Sequence, residues 1–117
     1  MIVTLPLPPS VNRIYRYNSR GMYKTRAGRD WISASAWQIK AECTPLETAV
    51  VSLDAHFPDL RKRDLDNLLK CTLDAVVKSG VISDDNWRVL SLGHLRGHLD
   101  RENPRLELDI AKGPSTT

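Results

Sequence analysis

Only two cysteines occur in the chain, Cys43 and Cys71, and they are too far apart in sequence to form the closely spaced pair of a structural metal site. No apolar run approaches the roughly 20 residues that a bilayer-spanning helix needs. The opening stretch MIVTLPLPPS has no basic leader and soon meets Pro6, Pro8 and Pro9, which excludes a secretory signal. The expected compartment is therefore the cytoplasm, with both thiols reduced and at least half-buried. Internal repeats and linker-like stretches are also missing. A length of 117 residues then fits one domain, expected over 1–112, with a disordered tail at 113–117. Hydrophobic residues make up 41% and charged residues 26%, so the chain reads as an ordinary globular domain able to bury a core.

Acids are absent from one particular stretch. Between Arg13 and Arg29 lie Arg16, Arg20, Lys24 and Arg26, with no carboxylate among them and with Tyr15, Tyr17 and Tyr23 interleaved. The net charge is only +3, so this clustering matters more than the total. Basic side chains neutralise phosphates, and tyrosines stack or hydrogen-bond along a nucleic-acid backbone. A solvated basic face with inward-packed tyrosines is the equally simple alternative.

Patterning gives the order of elements. Ile2 to Leu5 reads as a strand, followed by a stiff proline loop. Arg13 to Lys24 reads as an irregular hairpin turning at Asn18-Ser19-Arg20-Gly21. Thr25 caps a helix running from Arg26 or Gly28 to Cys43, with Trp31, Ile32, Ser35, Ala36 and Ile39 inward and Pro45 as its stop. Ala49 to Phe57 alternates cleanly as a strand. Leu65, Leu68, Leu69, Thr72, Leu73, Val76 and Val77 recur at three and four, which predicts an amphipathic helix capped by Asp64 and ended by Gly80. Val89 to Leu95 and Arg105 to Ile110 are further strands, joined by a polar connection at Leu99 to Pro104. Strands and helices mixed along one chain predict an α+β domain, a mixed sheet with helices packed on it.

The chemistry concentrates in Arg63-Asp64-Leu65-Asp66-Asn67-Leu68-Leu69-Lys70 and in Asp84-Asp85. With the leucines inward, Asp66, Asn67 and Lys70 share the open face of the helix, and Asp64 precedes them by one turn. One carboxylate at a helix N-terminus is favoured by the helix dipole. Two carboxylates ~5 Å apart repel by roughly 3 kcal/mol at an effective dielectric of 20, so three together call for a cation or for raised pKa values. A hard divalent ion, Mg²⁺ or Mn²⁺, suits an all-oxygen set from Asp64, Asp66 and Asp85, and can activate water against a phosphodiester. Lys70 would steady charge developing on the phosphate. The plainer reading stands beside this one: Asp64 as a cap, Asp66 and Lys70 as a surface pair, Asp84 and Asp85 as turn residues. Distance also weighs on it. A helix of about 15 residues separates its start from the Asp84-Asp85 loop by roughly 22 Å, so one shared site needs the chain to double back or a second copy to supply Asp85.

LPLPPSVNRIYR, KRDLDNLLKCTLDAVVKSGVISDDNWRV and RLELDI together resemble the RusA family of Holliday junction resolvases, from about Ile2 to Ile110. The segment Arg63 to Asp85 carries the most specific part of the match. The resemblance implies a homodimeric mixed α/β fold and a structure-selective endodeoxyribonuclease that makes paired symmetric nicks in four-way junction DNA with Mg²⁺ or Mn²⁺. It places the essential acids at Asp64, Asp66 and Asp85 and the essential lysine at Lys70. It makes Arg63 a DNA contact and matches Asn12, Arg13, Tyr15 and Arg16 to an N-terminal signature. Lys24, Arg26 and Lys62 complete the expected DNA-binding set. A non-cleaving DNA-binding module of the same fold and a nuclease preferring flaps or forks are the alternatives. An isologous dimer suits a two-fold symmetric junction, presenting two identical sites to strands of like polarity.

Some residues are expected to stay outside the site. His94 and His98 bracket Gly97 in a strand-and-turn region and read as exposed or structural. His56 faces out from its strand. Most of Trp31, Trp37 and Trp87 are expected in the core. Asp74 lies two turns from Asp66 and is left out.

Overall fold

Strand β4 (Ala49–Phe57) organises the fold. Its odd residues, Ala49, Val51, Leu53, Ala55 and Phe57, are all buried, while the residues between them are half-covered. Such alternation requires one face on a core and one face outward. The computed structural model describes residues 1–114 and places β4 inside a four-stranded sheet of order β1-β6-β4-β5. Strand β6 (Arg105–Lys112) runs antiparallel between β4 and β1 (Ile2–Leu5). Strand β5 (Leu90–Leu99) runs parallel to β4 on the other side. A parallel neighbour needs a crossover, supplied here by helix α2 (Leu65–Ser79). The α+β domain with a mixed sheet is thus as expected. No helix among the described residues is long and apolar enough to cross a membrane.

One continuous core lies between this sheet and the two helices. Val3 and Leu5, Val51 and Leu53, and Leu106, Leu108 and Ile110 project from the strands. Trp31, Ile32 and Ile39 of α1 (Arg26–Glu42) and Leu68, Cys71, Ala75 and Val76 of α2 meet them. Both helix starts follow the expected chemistry. Thr25 Oγ1 accepts from Gly28 N, and Asp64 accepts from the N–H groups of Asp66 and Asn67. Gly80 ends α2 at φ +83°, a left-handed conformation that a side chain would strain. Leu69 is only half-buried and does not join the residues packed on the core.

A 3-10 turn (Val11–Arg13) leads into a separate two-stranded hairpin, β2 (Tyr15–Asn18) and β3 (Gly21–Lys24), turning through Ser19 and Arg20. Gly113 and Pro114 are fastened to Thr48 by hydrogen bonds of 2.9 and 2.7 Å, so the expected tail does not begin at 113; positions 115–117 lie outside the described residues.

Two further expectations fail. Strand β5 continues through Gly97 to Leu99, because β4 offers it a parallel partner as far as Phe57. Glycine permits this, since a Cβ at 97 would stand 3.3 Å from the Phe57 ring. The histidines on the helix-free face are structural, as expected, and they form a cluster. His94 Nε2 and His98 Nε2 each stand 2.7 Å from one oxygen of Asp54, and His56 stacks on His98 with centroids 4.6 Å apart. The bonds from His94 and then His98 hold the Asp54 carboxyl below the usual carboxylate range. Lastly, only Trp31 joins the core; Trp37 and Trp87 are 73% and 86% exposed.

Candidate active site

The start of α2 is built by three segments distant in sequence. Asn12 is the connector. Its Oδ1 accepts the Asp64 N–H at 2.8 Å, and its Nδ2 donates to the Lys62 carbonyl at 3.2 Å. The 3-10 turn is therefore tied to the loop before α2, and Arg13 and Lys62 flank the acids. Asp64 Oδ1 caps the helix, accepting from Asp66 N at 2.9 Å and Asn67 N at 3.3 Å. Asp66 stands in the first turn, exposed to solvent. Lys70 lies one turn on, its Nζ 4.6 Å from the centre of the Tyr15 ring and 3.0 Å from Met22 Sδ. Asp64, Asp66 and Lys70 are thus gathered on the exposed end of α2, as the helical spacing predicts.

Because Asn12 bonds on both sides, its loss should be felt in the fold. Asn12→Ala is expected to destabilise the domain by about 1 kcal/mol, the ordinary worth of a hydrogen bond. A fall of about 4 °C in the thermal midpoint is the corresponding reading. An unchanged midpoint would mean the clamp contributes nothing.

Asp85 is elsewhere. It follows the far end of α2, in a cleft of about 630 Å³ that also receives Lys24, Arg29, Asp74, Lys78 and Asp84. Asp84 is folded onto its own turn, accepting from Asp85 N at 2.7 Å and from Asn86 Nδ2 at 3.1 Å, and these bonds lower its carboxyl pKa. Within one chain the expected trio of Asp64, Asp66 and Asp85 does not converge. Among the described residues no three His, Cys, Asp or Glu side chains are grouped to hold a metal ion. The reason is geometric: the loop after the helix brings Asp85 beside Asp74, Val77 and Lys78, about two to three turns of α2 beyond Asp66.

The basic residues divide into two groups. Arg13, Arg16, Arg26 and Lys62 stay exposed along the turn, the hairpin, the start of α1 and the loop before α2. Others are engaged inside the protein. Arg63 donates to Asp59 at 2.8 Å and lies over the Phe57 ring at 4.8 Å, leaving its side chain 17% exposed. That arrangement makes Arg63 a brace for the loop before α2. Lys24 pairs with Asp74 at 3.5 Å. Tyr15, expected on the DNA surface, is buried, with its hydroxyl donating to Asp74 Oδ2 at 2.8 Å. Burial and that bond together raise the phenol pKa, so it remains a neutral donor. Asp74, left out of the site in the sequence, is the residue that holds Tyr15. Its position four residues after Lys70, on the same helix face, was the available signal.

Comparison with known proteins bears on the chain as a whole. A family model described as "Endodeoxyribonuclease RusA" matches residues 6–111. The chain is 35% identical to the crossover junction endodeoxyribonuclease RusA proteins of Enterobacteria phage 82 and of Escherichia coli K12, and 34% identical to that of Shigella sonnei. Each alignment covers 94% of this chain and 92% of the relative.

Proposed function

The chain belongs to the RusA family of endodeoxyribonucleases, and from that premise we propose that it resolves four-way (Holliday) DNA junctions as a homodimer, by paired metal-activated nicks. The observation that carries the reading is the exposed end of α2, where Asp64, Asp66 and Lys70 meet basic residues on two sides. Carboxylates that face phosphates weaken DNA binding unless they do something else. Holding a divalent cation is that something else.

The donor chemistry fits such an ion only in part within one chain. Asp64 and Asp66 are hard oxygen ligands, as Mg²⁺ and Mn²⁺ prefer, but two carboxylates are a sparse set. Asp85 of a second copy would complete it. An isologous dimer that lays the two α2 helices antiparallel would bring the far end of one to the near end of the other, so that each site would draw two acids from one copy and one from its partner. When bound, the cation supplies Lewis acidity toward the scissile phosphate.

The chain's own residues do the rest. Arg13, Arg16, Arg26 and Lys62 engage phosphates and set the register of the DNA arms without reading bases. Lys70 places a positive charge beside the phosphate whose charge grows in the transition state. Asp64 spends one oxygen on the helix cap, which fixes the direction of the other.

Cleavage of a labelled, immobile four-way junction beside a matching linear duplex tests the reading. In Mg²⁺, symmetric paired nicks confined to the junction and lost in EDTA are expected. Tight junction binding without cutting in Mg²⁺ or Mn²⁺ would leave only a binding module. Equal cutting of the duplex, or preferential cutting of a fork or flap, would remove the junction selectivity.

A further inference from the structure

Lys70 sits on a four-carbon stem with many rotamers, at an exposed position on α2. A side chain like that does not hold its charge at one point unless something seats it. The seat is present. The ammonium lies over the face of the Tyr15 ring, 4.6 Å from its centre, with Met22 Sδ at 3.0 Å closing one side. The ring itself cannot swing. It is 7% exposed, and its hydroxyl donates to Asp74 Oδ2 at 2.8 Å. Asp74 is in turn pinned by Lys24 at 3.5 Å, and Lys24 is the cross-strand partner of Tyr15 in the β2–β3 hairpin.

We infer that Tyr15 is the positioning residue of Lys70: its ring face seats the ammonium, and the bond to Asp74 fixes the ring. The inference rests on the reading of Lys70 as part of the cleavage machinery. Several observations favour it over simple core packing for Tyr15. A core residue needs no cation on its face, yet here a ring edge is locked and a ring face is left to an ammonium. Lys70 and Asp74 are four apart on one helix face, so a single tyrosine touches both. The hairpin that carries Tyr15 forms no strand pair with the main sheet. Its aromatic and sulfur face turns instead toward α2. The ring attracts the cation through its quadrupole, and that attraction depends on the electrons of the ring face.

Ring electronics can be altered at nearly constant shape. The experiment replaces Tyr15 by phenylalanine and by phenylalanines of increasing ring fluorination, in the full-length protein. Single-turnover cleavage of a four-way junction in Mg²⁺, junction affinity in EDTA and the thermal midpoint are measured for each. Tyr15→Phe keeps the face but frees the ring from Asp74, so it should lower the rate by about threefold and serve as the reference for the series. Fluorination should then lower the single-turnover rate stepwise, by about tenfold in all, with affinity and midpoint steady. In a Lys70→Ala background the same series should change nothing further, because the two residues act as one unit. A flat rate across the series, with Lys70→Ala impaired, would overturn the inference. Wild-type cleavage by Lys70→Ala would instead overturn the role given to the lysine. A rate that falls only in step with the thermal midpoint would reduce Tyr15 to a packing residue and equally overturn it.

Discussion

Asp66→Asn is expected to stop cutting and to spare binding. Asp66 is exposed in the first turn of α2 and makes no contact that the fold requires, so the amide should leave the domain intact. On the proposed reading it removes one oxygen ligand of the cation. A bound metal supplies several kcal/mol of transition-state stabilisation, and at 1.36 kcal/mol per tenfold its loss costs roughly 10²–10³ in rate. Binding should hold or tighten, since one negative charge no longer faces the phosphates. Single-turnover cleavage in Mg²⁺ and a gel-shift titration in EDTA separate the two effects. A rate within threefold of wild type would remove Asp66 from the chemistry.

Mixing two dead variants should restore activity. Take Asp66→Asn and Asp85→Asn, each inactive alone. If a site combines Asp66 of one copy with Asp85 of the other, a mixed dimer has one site carrying both lesions and one carrying neither. Random exchange makes half of the dimers mixed, so about a quarter of all sites should work. The products also have a signature: the revived dimer nicks one strand of a pair and leaves the opposite strand whole. Recovery from nothing to a measurable fraction is a large effect, and a denaturing gel of a doubly labelled junction reads it. No recovery after verified subunit exchange would mean that the acids act within one chain, which the described geometry then fails to explain.

How much of this was open to sequence reasoning follows from the range of each interaction. Local chemistry was legible: the Thr25 and Asp64 caps, Gly80 as a stop, the alternation of β4, and the grouping of Asp66 with Lys70 all depend on neighbours within a few residues. Pairings across the chain were not. Nothing near Leu95 announces that β5 runs on to Leu99, because the reason is a parallel strand more than thirty positions away. Tyr15 read as a DNA residue because it sits among arginines, and only tertiary structure reveals that it turns inward to Asp74. Arg63 likewise looked outward until Asp59 and Phe57 were seen to hold it. The split of the acids was foreseen as a length problem, since helix rise is a constant, although the sequence left open how it would be resolved.

Helix α2 has one more consequence. On the shared-site reading it is a gauge block: one end carries the acids of one site, and the loop beyond the other end serves its twin. The separation of the two cutting sites is then set by a rigid rod whose 15 residues span roughly 22 Å. Changes in loop length and composition leave that calibration unaltered. A single extra turn within α2 would change that separation by about 5 Å in both copies alike and carry both sites away from the strands they cut.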